Sequence, residues 1–594
     1  MPSPAGPQHK DTVVKVLWRA VTGRRQAQGR QHGRRPWRTA ARGSVAMAAV
    51  VLLATSACTA APAPTASPAP TATATPTAPA AETTFNFGVG SDPLGFDPAL
   101  VEDTESYRVT RQVLEGLLTI DPVTGAPAPS LATSWQELDD GLTYTFALRP
   151  DVKFHDGTAL DAKAVCINFE RWYTMPAATR GDGSGTMFKQ VFRAFKDDSA
   201  NSLYKSCAVD GPLTVTLSLK MRLTGFLQAL TLPAFAISSP TALTKGTADV
   251  LDQTFSGNKV SRYGLHPVGT GPFTFTLASA GAVTMSANAD YWGQKSQITT
   301  LSFKTYDQPA TRLAALDDGS LDGFDPVAPT NFDKLIKSGK QVLQRDPFSV
   351  MYMGINQKVP VLADQQVREA IAAAIDKTTL VNNYFIAGTA TTAQFIPPKL
   401  SGFNNKVPGI AFDPAQAKAL LASSTYKGEE LKFYYPTNSA RTYLPSPEKV
   451  YAQIASELTA VGFNIKPVPV PWSDGYVGAV TRDGDHALSL LGWNGSYADP
   501  DNFVGPLFGS PGAELGLDDP QLVSKITRAR SMPNGPDRVA AYESISKQIA
   551  ATVPAVPIAF PISAIALSDK VVSYPLSPVL NEVFNEVVLA PKTG

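Results

Sequence analysis

The chain of 594 residues is 43% hydrophobic and 17% charged, which is enough apolar sequence for several packed units. Its formal net charge of +1 is unevenly spread, because residues 1–46 hold ten Lys or Arg and one acid, and the remainder is therefore mildly acidic. No basic stripe runs along that remainder, so we expect no nucleic-acid partner.

The amino-terminal segment has the pattern of an export signal. Its basic head precedes a short apolar run over 45–54, which is too short to span a bilayer but typical of a signal peptide. Small residues then precede Cys58, and this order resembles a bacterial lipobox, in which the Cys receives lipid. We predict a signal peptide over 1–57 and lipidation of Cys58. The alternative is an ordinary signal peptide with an incidental Cys.

The segment that follows Cys58 is a predicted tether. Residues 58–84 are mostly Ala, Pro and Thr, a composition that cannot bury a core and behaves as a semi-extended spacer. A lipid on Cys58 and this spacer would hold the folded body at the outer face of the cell membrane. If Cys58 is lipidated, Cys166 and Cys207 remain as an even pair in an oxidising compartment, which favours a disulfide. Two buried free thiols are the alternative.

The first half of the body alternates strands and helices. An opening strand is predicted from Thr84, and a helix follows with Val109 and Val113 on one face. Residues 142–157 alternate in a way that predicts two strands joined at Asp156-Gly157, and 160–173 predicts an amphipathic helix that carries Cys166.

The second half continues the same alternation. Asp364 is a good N-cap for a helix with Val367, Ala370 and Ile371 on one face. A strand is expected over 431–438, a helix over 447–461 and a strand over 463–470.

A polar loop that follows the predicted apolar strand 486–493 is a candidate for ligand binding. It carries Trp493, Asn494, Ser496, Tyr497 and Asp499. In α/β proteins, loops at strand ends are where ligands are held. Ordinary turn chemistry between a strand and a helix is the alternative interpretation.

Several stretches together resemble the solute-binding protein family 5 of ABC importers, the peptide- and nickel-binding type. They occur in the family's order over nearly the whole body, so the resemblance does not depend on one motif. The matching stretches are 112–125, 129–135, 144–157, 268–273, 291–303, 353–377 and 498–503.

The resemblance implies an α/β fold of the two-lobe periplasmic-binding-protein type (type II, cluster C) with an additional β-rich subdomain. Two lobes that close on a ligand are joined by a hinge in such a fold. The implied division is lobe I over 85–116, 226–348 and 556–594, the extra β-rich subdomain over 117–225, and lobe II over 349–555.

The resemblance also implies site residues. In dipeptide-binding members, the Arg of an Arg-x-Tyr-x-Pro segment pairs with the peptide carboxylate, and Arg441 stands in such a segment here. A solvated surface Arg is the alternative. The family's Gly-Trp-x-x-Asp pattern supplies an Asp for the ligand ammonium, but this chain has Ser496 at that position. Either another acid replaces it, with Asp499 the nearest candidate, or the ligand is not a short peptide with a free amine. Trp493 and Tyr497 are candidates for stacking on a ligand or for core packing at the strand end.

These features lead to one interpretation with two competitors. The chain is expected to be a monomeric, lipid-anchored extracytoplasmic receptor, without enzyme activity, cofactor or metal, that hands peptides, in particular oligopeptides, to an ABC permease. The first competitor keeps the same fold but binds a non-peptide solute such as an oligosaccharide, opine or metal chelate. A secreted hydrolase is disfavoured because the chain has no Gly-x-Ser-x-Gly or His-Glu-x-x-His motif.

Overall fold

Two separate sheets divide the folded body into two lobes. The computed structural model describes residues 83–591 except 123, 181–185 and 580. The predicted signal peptide and Cys58 lie outside these residues. Within the described ranges, no helix combines the length and the apolar character that crossing a membrane requires.

The sheet of lobe I is built around the opening strand. Phe85 and Phe87 of this strand are fully buried, and the strand pairs in parallel with a neighbour on each side. Phe584 packs edge-on against Phe87 and brings the end of the chain onto the same core. The seven strands, in sheet order, are Phe273–Ser279, Ala282–Ala287, Thr300–Thr305, Thr84–Val89, Gly323–Phe324, Ser563–Leu567 and Gln341–Arg345.

The sheet of lobe II is built around two strands whose residues are all buried. Ser349–Ile355 pairs with Ala555–Phe560 on one side and with Leu488–Asn494 on the other. The continuous apolar character of these strands follows from helices that cover both faces of the sheet. The six strands, in sheet order, are Ala390–Thr391, Ala555–Phe560, Ser349–Ile355, Leu488–Asn494, Glu430–Thr437 and Asn464–Pro471.

The chain crosses between the lobes twice at adjacent positions. It leaves lobe I after Arg345 and returns at Ser563, and these two residues are register partners in the lobe I sheet. The predicted boundary at residue 556 is therefore misplaced, because Ala555–Phe560 pairs with Met351–Gly354 in lobe II. The return crossing lies at residues 561–562. Two short crossings side by side are the arrangement that permits hinge closure.

Buried ion pairs hold lobe I together next to the crossings. Arg345 is fully buried and contacts Asp325 at 3.0 Å and Glu582 at 2.7 Å, while Arg108 reaches the same Asp325 at 2.9 Å. Burial opposes ionisation of Asp325, but the two guanidinium groups hold its pKa below the usual value. The positive charges of the guanidinium groups and the negative charges of the carboxylates in this network therefore compensate one another.

The extra subdomain is a four-stranded antiparallel sheet with a helix packed on it. The strands, in sheet order, are Ala132–Leu138, Thr143–Leu148, Thr214–Leu219 and Tyr204–Gly211. The helix Ala162–Thr174 is joined to the edge strand by the disulfide Cys166–Cys207, which confirms the predicted pair. Only the first of the two strands predicted over 142–157 forms. The rest is a turn in which Lys153 and Ala159 make an isolated bridge.

The remaining elements cover the sheets or join them. Asp364 caps its helix as predicted, and the helix predicted over 447–461 forms with those bounds. Short paired strands are Glu115–Gly116, Leu118–Ile120, Pro127–Pro129, Ala236–Ile237, Gln253–Phe255, Asn258–Val260, Val571–Ser573 and Val588–Leu589. The other helices are Thr104–Val113, Ala177–Arg180, Thr186–Phe192, Phe226–Ala229, Pro240–Lys245, Pro309–Asp317, Pro329–Lys337, Gln365–Ala373, Lys377–Tyr384, Pro414–Ser423, Pro447–Val461, Tyr476–Gly478, Asp501–Phe508, Pro520–Ser531 and Pro536–Thr552.

Candidate functional site

A cavity of about 1030 Å³ lies where the two lobes and the extra subdomain meet. Glu102 and Leu232 line it from lobe I, and the other walls belong to lobe II. The subdomain contributes Met187, Lys189, Gln190, Val191 and Arg193. Protein pockets for small ligands commonly measure roughly 300–1,000 Å³. The cavity is therefore large enough for a ligand bigger than a single amino acid.

The Arg441–Pro445 segment is held against the end of the strand Leu488–Asn494. The Tyr443 ring crosses Gly492 so closely that a Cβ there would lie 2.3 Å from the ring, so this position requires glycine. Thr442 Oγ1 donates a hydrogen bond of 3.1 Å to Asn494 Oδ1. The two parts of the chain that the resemblance assigned to the site thus lie together.

Arg441 lies beside the cavity. Its guanidinium stacks on the Trp472 ring at 3.9 Å, and Trp472 itself lines the cavity. Arg441 lines a small neighbouring pocket of about 10 Å³, which it shares with Arg312 and Pro326 of lobe I. Its Nε is buried and has no hydrogen-bond partner among the described residues. A guanidinium with an unused donor can receive a carboxylate.

Asp103 of lobe I lies near enough to Arg441 of lobe II for the two charges to interact. Burial raises the pKa of Asp103, while hydrogen bonds from Ser106 and the positive charge of Arg441 act in the opposite direction. The Asp103 carboxylate caps the helix Thr104–Val113 by accepting from the Ser106 backbone N–H at 2.8 Å. Arg441 therefore already has a carboxylate from the other lobe in its surroundings.

The predicted loop residues divide into two groups. Trp493 and Tyr497 line the cavity, and the Trp493 Nε1 is buried without a hydrogen-bond partner in the described chain. Asn494 and Ser496 are not part of the lining; Asn494 borders a pocket of about 20 Å³ beside it. The Ser496 backbone N–H donates to Asn502 Oδ1 at 2.8 Å, which fixes the loop.

Asp499 is a structural residue in this fold. The residue is 2% exposed, and its Oδ1 accepts from the Arg538 guanidinium at 2.9 Å and from the Asp501 backbone N–H at 2.8 Å. The expectation that Asp499 replaces the missing ligand carboxylate is therefore not supported. Arg538 lies 39 residues further along the chain, and no local pattern points to this pair.

A second ion pair lies in the cavity wall. Arg530 donates from Nε to Asp501 Oδ2 at 2.7 Å, and both residues line the cavity. Burial raises the pKa of Asp501, and the Arg530 charge is the largest opposing effect. The charge of Asp501 is thus compensated inside the protein.

Glu514 is one of the cavity residues that the sequence did not single out. It is half-buried, and the Tyr352 hydroxyl donates to its Oε1 at 2.6 Å. Burial raises the pKa of Glu514 to about 7, and the Tyr352 hydrogen bond only partly opposes this. Glu514 stands in a Gly- and Pro-rich loop, where a single acid looks like ordinary turn chemistry.

The described residues contain no group of three or more His, Cys, Asp or Glu side chains that could hold a metal ion. The cavity wall instead combines aromatic rings, carboxylates and guanidinium groups. Such a wall suits an organic solute with both apolar and charged parts.

Solved structures define the class of protein to which this architecture belongs. The periplasmic binding protein DppA from Helicobacter pylori, in complex with the peptide STSA, is 25% identical with a TM-score of 0.74. The match covers 85% of this chain and 98% of that one. A dipeptide-binding protein from Pseudoalteromonas sp. SM9913, in complex with Met-Leu, has the same fold with a TM-score of 0.76 at 22% identity, over 85% and 100% of the two chains. The fold is that of a two-lobe periplasmic binding protein.

The family follows from the sequence comparison. Residues 126–514, more than half of the chain, match the family model of the bacterial extracellular solute-binding proteins, family 5. The chain belongs to this family. It is 26% identical to the dipeptide-binding protein of Escherichia coli K12, over 83% of this chain and 92% of that protein. It is also 26% identical to heme-binding protein A of Haemophilus influenzae, over 84% and 91%.

Proposed function

We propose that the protein is the peptide-binding receptor of an ABC importer, anchored by lipid to the outer face of the cell membrane. The observation that carries this proposal is the cavity of about 1030 Å³ between the lobes, bordered by the Arg441 guanidinium stacked on Trp472. Relatives whose names describe dipeptide or di/tripeptide binding support the same ligand class. The protein binds as a monomer and performs no chemistry on its ligand.

Ligand binding is coupled to closure of the lobes. A ligand that contacts both walls stabilises the closed form relative to the open form by its differential affinity. The two adjacent crossings after Arg345 and before Ser563 allow this motion without disturbing either sheet. The membrane permease then recognises the closed, loaded form.

Arg441 is the proposed partner of the peptide carboxylate. Its unused Nε and its position beside the cavity suit a charge-assisted hydrogen bond. Trp493 and Tyr497 offer ring surfaces to apolar side chains. Asn494 and Ser496, which lie outside the lining, are neutral polar residues at the strand end. A neutral Ser496 cannot supply the charge that a ligand ammonium requires.

The lipid anchor is a proposal from the sequence alone. Small residues before Cys58 and the Ala/Pro/Thr-rich segment after it support a lipidated Cys and a tether. Growth of the source cells with radioactive palmitate should label the wild-type protein. A Cys58→Ala variant should remain unlabelled, and equal labelling of both proteins would remove the anchor from the proposal.

The ligand class is tested by what the protein carries from the cell. Native mass spectrometry of the freshly purified protein should reveal retained masses that fragment as peptides. A thermal-shift screen should then show stabilisation by a peptide library. Retention of heme, sugars or opines, with no shift by peptides, would replace the peptide by a non-peptide solute in the same fold.

A further inference from the structure

Glu514 is a carboxylate held in the cavity wall with one hydrogen-bond donor and, within the described ranges of the chain, no counter-charge. The Tyr352 hydroxyl contacts its Oε1 at 2.6 Å, and no ion pair in the described part of the chain involves it. Burial raises its pKa to about 7, and the opposing effect comes from the Tyr352 hydrogen bond. A half-buried carboxylate without a cation is costly to keep, so its place in a binding cavity calls for a partner.

The backbone around Glu514 is anchored, which keeps the carboxylate in a set position. The His486 ring Nε2 is hydrogen-bonded to the Glu514 carbonyl at 2.8 Å, and the Gln357 backbone N–H donates to the Leu515 carbonyl at 2.8 Å. Leu515 is buried in the lobe II core. Gly516 has a φ of +55°, and a Cβ there would lie 2.4 Å from Asn356 Oδ1. The loop therefore packs tightly against the lobe II sheet and presents Glu514 to the cavity.

The other carboxylates of the cavity are already engaged. Asp501 is paired with Arg530 at 2.7 Å, and Glu102 makes an interaction of its own. Asp499 lies outside the lining and is paired with Arg538. Among the described cavity residues, Glu514 is thus the acid whose one observed side-chain partner, the Tyr352 hydroxyl, leaves it able to take a ligand cation.

We propose that Glu514 receives the organic cation of the ligand, in place of the carboxylate that is absent at Ser496. The inference rests on the proposed function, since it names which part of a peptide the cavity recognises. Tyr443, Trp472 and Trp493 line the same cavity and offer aromatic faces, which also favour a cation. The cation is an ammonium or guanidinium group, and it belongs either to the peptide amino terminus or to a basic side chain.

The test compares wild-type protein with Glu514→Gln and with Glu430→Gln as a matched control. Glu430 is an exposed carboxylate of lobe II that pairs with Lys466 on the surface, away from the cavity. Three probes are titrated in thermal-shift assays. They are an equimolar tetrapeptide library without Lys and Arg, the same library N-acetylated, and an N-acetylated library that contains one Lys per peptide.

The preferred library is the one of the three that the wild-type protein binds most tightly. Glu514→Gln should raise the half-saturating concentration of this library by about tenfold or more, as expected for loss of a charged hydrogen bond. The control should match the wild type. If the amino terminus is the cation, acetylation should weaken wild-type binding but cause no further loss in Glu514→Gln. If a side chain is the cation, the acetylated Lys library should bind the wild type and discriminate the two proteins. Either pattern supports the proposal.

The proposal is overturned if Glu514→Gln and wild type bind the preferred library with affinities within about twofold of each other, well below the change for a charged contact. The peptide function would stand in that case. If the wild type binds none of the three libraries, the peptide function fails and this inference falls with it. Melting of the ligand-free proteins shows that the variant is folded, because a Gln carbonyl can still accept from Tyr352.

Discussion

Replacing Arg538 by Leu should destabilise the protein strongly, because it leaves Asp499 as an unpaired buried charge. The two side chains are 4% and 3% exposed and meet at 2.9 Å. Breaking a buried pair from one side typically costs about 3–5 kcal/mol, since the remaining ion is neither solvated nor compensated. Arg538→Leu also removes a hydrogen bond from Nε to the Ala529 carbonyl, so the upper part of this range is expected.

The assay is urea unfolding followed by tryptophan fluorescence, with the free energy of unfolding compared among four proteins. The double variant Asp499→Asn with Arg538→Leu should recover part of the loss, because no buried charge remains. Lys466→Leu is the matched control, since it breaks an ion pair whose side chains are about half exposed and should cost less than about 1 kcal/mol. If Arg538→Leu lowered the free energy of unfolding no more than this control does, the pair with Asp499 would not stabilise the fold. Asp499 would then again be a candidate for ligand binding.

Three further measurements test the site and the subdomain. Arg441→Ala should weaken a peptide with a free carboxylate by about 2 kcal/mol or more but leave the C-amidated peptide unaffected, as calorimetry with each form would show; equal effects on both would remove Arg441 from the site. Because a cation binds ionised Glu514, affinity should fall roughly fivefold between pH 7 and pH 6 as Glu514, with a pKa of about 7, becomes protonated. The facing Tyr352, Tyr443 and Tyr476 stay neutral there, since burial raises their pKa values, and burial also lowers the pKa of the neighbouring His486. A pH profile that is unchanged in Glu514→Gln would therefore contradict the assignment. Replacing both Cys166 and Cys207 by Ser should reduce stability by about 4 kcal/mol for a sequence separation of 41, whereas a reducing agent should destabilise only the wild type; equal stability of the variant and the oxidised wild type would refute this estimate.

Local sequence patterns were sufficient for most of the individual elements. The helix Pro447–Val461 follows from its apolar spacing, and the Asp364 cap follows from one side chain placed before such a pattern. These features depend on residues a few positions apart, which is the range over which helical periodicity and capping act. The second strand predicted over 142–157 failed because alternation alone does not provide a pairing partner.

Pairing between distant segments decided where the lobes meet. The strand Ala555–Phe560 is apolar throughout, and so is the neighbouring strand Ser563–Leu567. Nothing in their composition assigns one to lobe II and the other to lobe I. Only the registers with Met351–Gly354 and with Gln341–Arg345 separate them and place the crossing after Phe560.

The candidate site shows the same division. The sequence by itself determined the family, the Arg441 segment and the absence of a carboxylate at Ser496, because these are properties of single positions in a motif. The tertiary structure decided which acids are available to a ligand. Arg538 pairs with Asp499. Glu514 instead accepts a hydrogen bond from Tyr352, 162 residues away in the sequence, and has no cationic partner among the residues that the structure describes. The charge state and the availability of a buried group depend on its neighbours in space, and the linear order of the chain does not contain them.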